Sequence, residues 1–295
     1  MKDHLARKKE WLAVPFCHAD AVLGATYYHF FFAVLLPLLD LARAKFIDYN
    51  QRILLVSCRL FNPILAEIID KKIINLQIIP DIEVLRRIER LGADIEYLAL
   101  DSMEAYFFRF GKFCVRPFAA TRIRKITEFT KGIFQVETPA PAPDILIITR
   151  DRGENGHGNN TRSIPNVDEI TAALIGEGLS VERLSLEGKS LAEQIAIFDR
   201  AKIVIAQHGS ALSNIVWMRP DRARVIEIVP PAFRLPGWQY FELLARQMGI
   251  PRIEISTPDP FFPLDVKQIL SSVHEFQFSD RIETVERLAA RKPGH

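Results

Sequence analysis

The clearest pattern in the chain is a series of short apolar runs in its second half, each ending in polar or small residues. Ile145–Thr149 (ILIIT) and Ile203–Ala206 (IVIA) are continuous apolar runs of strand length, as expected of strands covered on both faces. Leu179–Leu184, Arg224–Val229 and Arg252–Ser256 read as further strands. Helical segments lie between them. Asn166 with Glu169 makes a capping-box-like start for a helix running to about Gly176. Ser190 and Glu193 make a better one, opening a helix whose Leu191, Ile195 and Phe198 fall on one face. Ser210–Trp217 reads as a short helix and Trp238–Met248 as a longer one. Five alternations of strand and helix predict a parallel, doubly wound α/β sheet. Beyond Pro258 the pattern is helical, over Leu264–Glu275 and Ser279–Ala290.

The first half is less regular. Tyr27–Ala44 looks helical with a kink expected at Pro37, Arg52–Ser57 has strand character, and Pro63–Lys72 and Ile82–Leu91 have helical spacing. Ile95–Leu100 reads as a strand and Ala119–Lys131 as a helix with a basic face. This too is an α/β pattern, although the strand order does not follow from it. Three prolines within Glu137–Pro143 resist helix and central strand alike and mark an interdomain linker. The expected organisation is an N-terminal domain over 1–138, a C-terminal domain over 139–262, and helices over 263–295 that can pack back on the first domain. No internal repeat or low-complexity tract is visible.

Composition narrows the function. Lys plus Arg is 38 and Asp plus Glu 36, a balance that offers no clustered basic footprint for nucleic acid. Cys17, Cys58 and Cys114 are scattered and odd in number, the usage of a reducing compartment, so a cytoplasmic location is expected. Ala21–Leu39 is uncharged and nearly long enough to span a bilayer, but Gly24, His29, Pro37 and two tyrosines interrupt it. A buried core helix fits better, with peripheral contact at the inner face of a membrane left open.

Ligands of an open parallel sheet bind outside the carboxyl ends of its strands. Three features there carry chemistry. Arg150–Ser163, directly after ILIIT, holds three glycines, three asparagines and three arginines, suited to an anion but equally to a solvated loop. Gln207-His208-Gly209-Ser210-Ala211-Leu212-Ser213-Asn214 follows IVIA, where small residues and a helix start can take a diphosphate. A Ser210-capped helix with a satisfied His208 is the plainer reading. Glu227, alone in an apolar strand, must be paired or hydrogen-bonded; ribose hydroxyls are one set of partners, Arg222 or Arg224 another. Neither GxGxxG nor GxSxG occurs, which argues against a nicotinamide dehydrogenase and a serine hydrolase. His157 and His208 have no second histidine at ligand spacing, so no metal site is expected.

Taken in order, these segments from Thr149 to Pro231 resemble glycosyltransferase family 61, with Ser210 where the family often has Ala. Tyr27-Tyr28-His29-Phe30 and the apolar helix after it also look like the family's N-terminal domain. The resemblance implies a GT-B-like fold of two facing Rossmann-like domains with parallel sheets. It implies inverting transfer from a nucleotide-sugar co-substrate to a glycan or lipid-linked glycan acceptor, without cofactor or essential metal. The compact chain without disulfides suggests a role in bacterial surface or capsular polysaccharide biosynthesis. By resemblance, Arg150 and Arg162 hold the diphosphate with the N–H groups of Gly209 and Ser210. His208 contacts phosphate or sugar, Asn214 belongs to the same donor-binding loop, and Glu227 takes the ribose. His29 is the expected catalytic base, with Asp20 and Asp40 as substitutes. A catalytically inactive nucleotide- or glycan-binding module, or a ligand-free assembly scaffold, is the alternative.

Overall fold

A computed structural model describes residues 11–14, 26–47, 49–104, 106–109, 112–115, 117–135, 142–149, 164–234, 239–259 and 261–290. It divides into two units. The first comprises Met1–Thr138, Gly188–Ala196 and Ser213–Trp217, and the second Pro139–Glu187, Ile197–Leu212 and Met218–His295. Each is an α/β unit built on one parallel sheet, a Rossmann-like arrangement.

In the first unit, β1 (Trp11–Val14), β2 (Arg52–Val56), β3 (Asn75–Ile79) and β4 (Ile95–Tyr97) form a sheet of order β3-β2-β1-β4, parallel throughout. β1 and β3 are not evident in the sequence. WLAV is four residues beside a charged start, and the polar Asn75 and Gln77 interrupt the apolar run of NLQII. A hairpin of β5 (Tyr106–Arg109) and β6 (Lys112–Val115) follows.

Residues 27–43 are one continuous helix with a π segment, Phe30–Leu35, inside it. The stretch whose apolar length raised the question of a membrane is buried without interruption from Phe30 to Asp40. Phe32 packs on Phe118, Phe30 stacks on Phe61 at 4.7 Å, and Phe31 meets Trp217 edge-on. Among the described residues, no helix is long and apolar enough to cross a membrane.

The second unit carries β7 (Ile145–Thr149), β8 (Val181–Ser185), β9 (Ile203–Gln207), β10 (Arg224–Val229) and β11 (Arg252–Ser256) in the order β11-β10-β9-β7-β8. All four pairings are parallel. The winding reverses between β7 and β9, so the crevice of this sheet lies where those two strands end. Those strands end at Thr149, just before residues 150–163, which lie outside the described residues, and at Gln207, just before His208.

The two faces of this sheet differ in chemistry. On one, Ile145, Ile147, Ile205, Ile226, Ile228 and Ile255 join Ile170, Leu174, Ile269 and Val273 in the core. The C-terminal segment is a single helix, Val266–Ala290, rather than the two expected, and belongs to the second unit. Asn166 does not cap the helix Val167–Gly176. Its amide instead clamps the Leu264 backbone, donating to the carbonyl and accepting from the N–H, both at 2.9 Å. Ser190 and Glu193 do form the reciprocal box: the Glu193 N–H donates to Ser190 Oγ, and Glu193 Oε2 accepts from the Ser190 N–H at 2.8 Å.

Candidate functional site

The opposite face of the second sheet explains where its charges sit. Parallel register sets Glu227 of β10 beside Ala206 of β9 and Glu254 of β11. Side chains alternate along a strand, so Arg252, Glu254 and Ser256 share the face of Glu227, and His208 follows Ala206 on that same face. Ala206 is small enough to leave room for its neighbour's carboxylate.

The polar chain that results is buried at its His208 and Glu227 end and opens to solvent at Glu254. Glu227 is 1% exposed and His208 2%. Glu227 Oε1 lies 2.6 Å from His208 Nδ1, and Glu227 Oε2 accepts from Arg252 Nε at 2.5 Å. Arg252 Nη2 donates in turn to Glu254 Oε2 at 2.8 Å. Burial works against the Arg252 charge, yet the facing Glu227 and Glu254 carboxylates outweigh it and hold the guanidinium above its ordinary value. A carboxylate only accepts, so Nδ1 of His208 carries the hydrogen and Nε2 is left for another partner. That partner is the Tyr240 hydroxyl at 3.4 Å, the long end of hydrogen bonding. Phe233 stacks on the imidazole at 4.7 Å, and Phe241 meets it edge-on. The His208 N–H continues the sheet by donating to the Ile228 carbonyl at 2.8 Å, which fixes the backbone entering Gly209 and Ser210.

The ion-pair partner of Glu227 is therefore Arg252, not Arg222 or Arg224. Arg222 and Arg224 donate to the backbone carbonyls of Asp199 and Ala223. Both Glu227 oxygens are engaged within the protein.

Asn214 has a comparable history. It is fully buried, and its Oδ1 accepts from Tyr27 Oη and from Trp217 Nε1, each at 3.1 Å. Its Nδ2 donates to Gln194 Oε1, and Gln194 Nε2 donates to the Lys189 carbonyl. All of these residues belong to the first unit. Burial pushes the Tyr27 phenol far above its ordinary value despite the Asn214 bond, so it stays a neutral donor. Ser210 is partly exposed and opens the short 3₁₀ helix Ser210–Trp217, while Gly209 is buried. Arg150, Arg162 and Asp20 lie outside the described residues.

His29 is in the first unit, three residues into the helix of residues 27–43. Its Nδ1 is bonded to the buried carboxylate of Glu104. The His29 side chain keeps 27% of its surface open, against 8% for that of Glu104. Asp40 is tied to Arg43 at 2.8 Å and to Arg122, whose guanidinium also reaches Asp101.

The structure thus joins His208 to Glu227 and sets Asn214 and His29 in separate networks of the first unit. Arg252, Tyr240, Phe233 and Glu104 are parts that sequence reasoning missed. The alternation of RIEIS does place Arg252 and Glu254 on one face, but only the strand register shows that Glu227 shares it. Among the described residues, no group of three His, Cys, Asp or Glu side chains is placed to hold a metal ion.

A comparison with curated proteins gives no match. A family model described as Glycosyltransferase 61 matches residues 27–226, more than half of the chain; the match includes His29, Asn214 and His208 and ends one residue before Glu227. The chain belongs to the glycosyltransferase 61 family, and this membership implies glycosyltransferase activity.

Proposed function

We propose that the protein is an inverting glycosyltransferase of the GT-B type, moving a sugar from a nucleotide donor to a glycan acceptor in surface polysaccharide assembly. The observation that carries the reading is the buried His208–Glu227 pair at the end of β9, beside the reversal point of the second sheet. Parallel sheets place their ligands there. Two parallel sheets, one in each unit, are compatible with the GT-B arrangement. Family membership supports a sugar donor and a glycan acceptor in general. The choice of a bacterial surface glycan rests on the cysteines, scattered and odd in number, which form no disulfide framework in the sequence.

In this reading the diphosphate is held by Arg150 and Arg162 with the N–H groups of Gly209 and Ser210, which stabilise the charge that builds on the leaving group. His208 meets phosphate or sugar through Nε2, the nitrogen that Glu227 leaves over and Tyr240 holds only loosely. Glu227, with both oxygens engaged, orients His208 rather than binding the ribose. Asn214 locks the following turn to Tyr27 instead of touching the donor. His29 takes the acceptor hydroxyl's proton. No cofactor and no metal enters the reaction.

The test is to incubate the protein with a panel of nucleotide sugars and bacterial oligosaccharide acceptors, following nucleoside diphosphate release and the anomeric configuration of the product by NMR. Transfer with inversion in the presence of a chelator is the expected result. Retention of configuration would refute the mechanism. Nucleotide binding without turnover across the panel would favour a non-catalytic binding module.

A further inference from the structure

Proline at position 37 has a consequence one turn back. In the π segment Phe30–Leu35, a carbonyl bonds to the N–H five residues on, as Phe31 does to Leu36. The Phe32 carbonyl would by that rule bond to residue 37, which is proline and has no N–H. A buried carbonyl needs a donor from somewhere. The Met103 N–H supplies it at 2.8 Å. That backbone bond, with the Arg122 bridge from Asp40 to Asp101, holds the segment 101–104 against the helix, and the Glu104 N–H donates to the Ser102 hydroxyl at 3.3 Å. The next side chain, Glu104, then ends on Nδ1 of His29.

We propose that Glu104 is a positioning residue for His29, holding the ring in the Nδ1–H tautomer with its lone pair on Nε2. The proposal rests on His29 being the base. In the transfer step, the acceptor hydroxyl's proton passes to His29 Nε2, and the acceptor oxygen forms its bond to the anomeric carbon. The bond from that carbon to the diphosphate oxygen breaks, its electron pair leaving with the nucleoside diphosphate. Two features match the role. The ring is partly open while its partner carboxylate is buried, so solvent does not compete for Nδ1. A carboxylate at Nδ1 also stabilises the imidazolium that the proton transfer creates.

The test begins without substrate. Long-range proton–nitrogen NMR spectra of protein labelled with ¹⁵N-histidine report each ring's tautomer, and His29→Asn identifies the His29 signals among the seven histidines. The wild type should show the Nδ1–H form, Glu104→Leu should bring in the Nε2–H form, and Glu104→Asp should restore the wild-type pattern. A wild-type spectrum of the Nε2–H form, or an unchanged Glu104→Leu spectrum, overturns the proposal. If Glu104→Leu does not fold, the wild-type and Glu104→Asp spectra decide it. With the donor found in the panel, Glu104→Leu should lower kcat by roughly 10- to 100-fold, a part of the roughly 10²–10⁴-fold that a positioned base contributes. Its donor KM should stay unchanged, with partial recovery in Glu104→Asp. Loss of turnover in His29→Asn with full turnover in Glu104→Leu sinks the positioning role alone. Full turnover in His29→Asn removes the base on which it rests.

Discussion

Glu227 Oε1 and His208 Nδ1 are 2.6 Å apart at positions 1% and 2% exposed, and Arg252 holds the other carboxylate oxygen. Removing one member of such a group leaves an unbalanced buried charge. Arg252→Ala should lower stability by about 3–5 kcal/mol. Adding Glu227→Gln to it should recover part of that loss, because the stranded charge is gone. Urea denaturation of the two single variants and the double variant measures this coupling; additive losses would mean that the ion pair has no energetic coupling.

Asn214 bonds to the side chains of Tyr27, Trp217 and Gln194. In Asn214→Ala, the Tyr27 hydroxyl and the Trp217 indole N–H lose their acceptor in a dry core. Each stranded group costs about 1–3 kcal/mol, so a loss of roughly 2–6 kcal/mol is expected. Tyr27→Phe removes a donor and leaves Asn214 Oδ1 still bonded to Trp217, so only about 1 kcal/mol should be lost. Thermal and urea unfolding of both variants should rank them in that order.

Asp144 ties three strands together at their starts. It accepts from the Ser180 N–H and hydroxyl before β8 and from Lys202 before β9. Burial alone would raise its pKa, but these bonds outweigh it and bring it below the ordinary value of 3.8. A carboxyl depressed in the folded state contributes stability above its unfolded value, and loses that contribution as pH falls through its folded value. Asp144→Asn should therefore cost about 1–2 kcal/mol at pH 7. The difference from wild type should shrink as pH falls below 3.8. Denaturation at pH 7, 4 and 2.5 follows it; a constant difference would show that charge is not involved.

Much of the second unit is legible because its strands are buried on both faces. An apolar run such as IVIA allows few other readings. The Ser190 box was equally plain, since both of its bonds are local in sequence. What escaped depends on distant partners. β1 has only four residues and gains its place by pairing with β2 and β4. Asn166 looked like a cap, but Leu264, 98 residues on, takes its amide. The sequence marks His208 and Glu227 each on its own, as separate ligand contacts. Their mutual bond follows from the register of β9 against β10, which no local pattern reports.

The Ser190–Glu193 box opens a helix whose first free N–H groups, those of Leu191 and Ala192, donate to the Glu67 carboxylate at 2.7 and 3.2 Å. Ser190→Ala should cost about 1 kcal/mol, as the loss of a helix cap does. Hydrogen exchange should show the Glu193 amide losing its protection first. Unchanged exchange at that amide would mean the box is not formed in solution.

The most direct measurement is the heat-unfolding midpoint of the purified protein against nucleoside diphosphates and nucleotide sugars, with and without a chelator. It is repeated on His208→Ala. A ligand that binds only the folded state raises the midpoint by mass action. A nucleotide-selective, chelator-insensitive rise that His208→Ala abolishes is the expected result. No rise with any nucleotide, or an equal rise in a folded His208→Ala, would contradict a donor site at the end of β9.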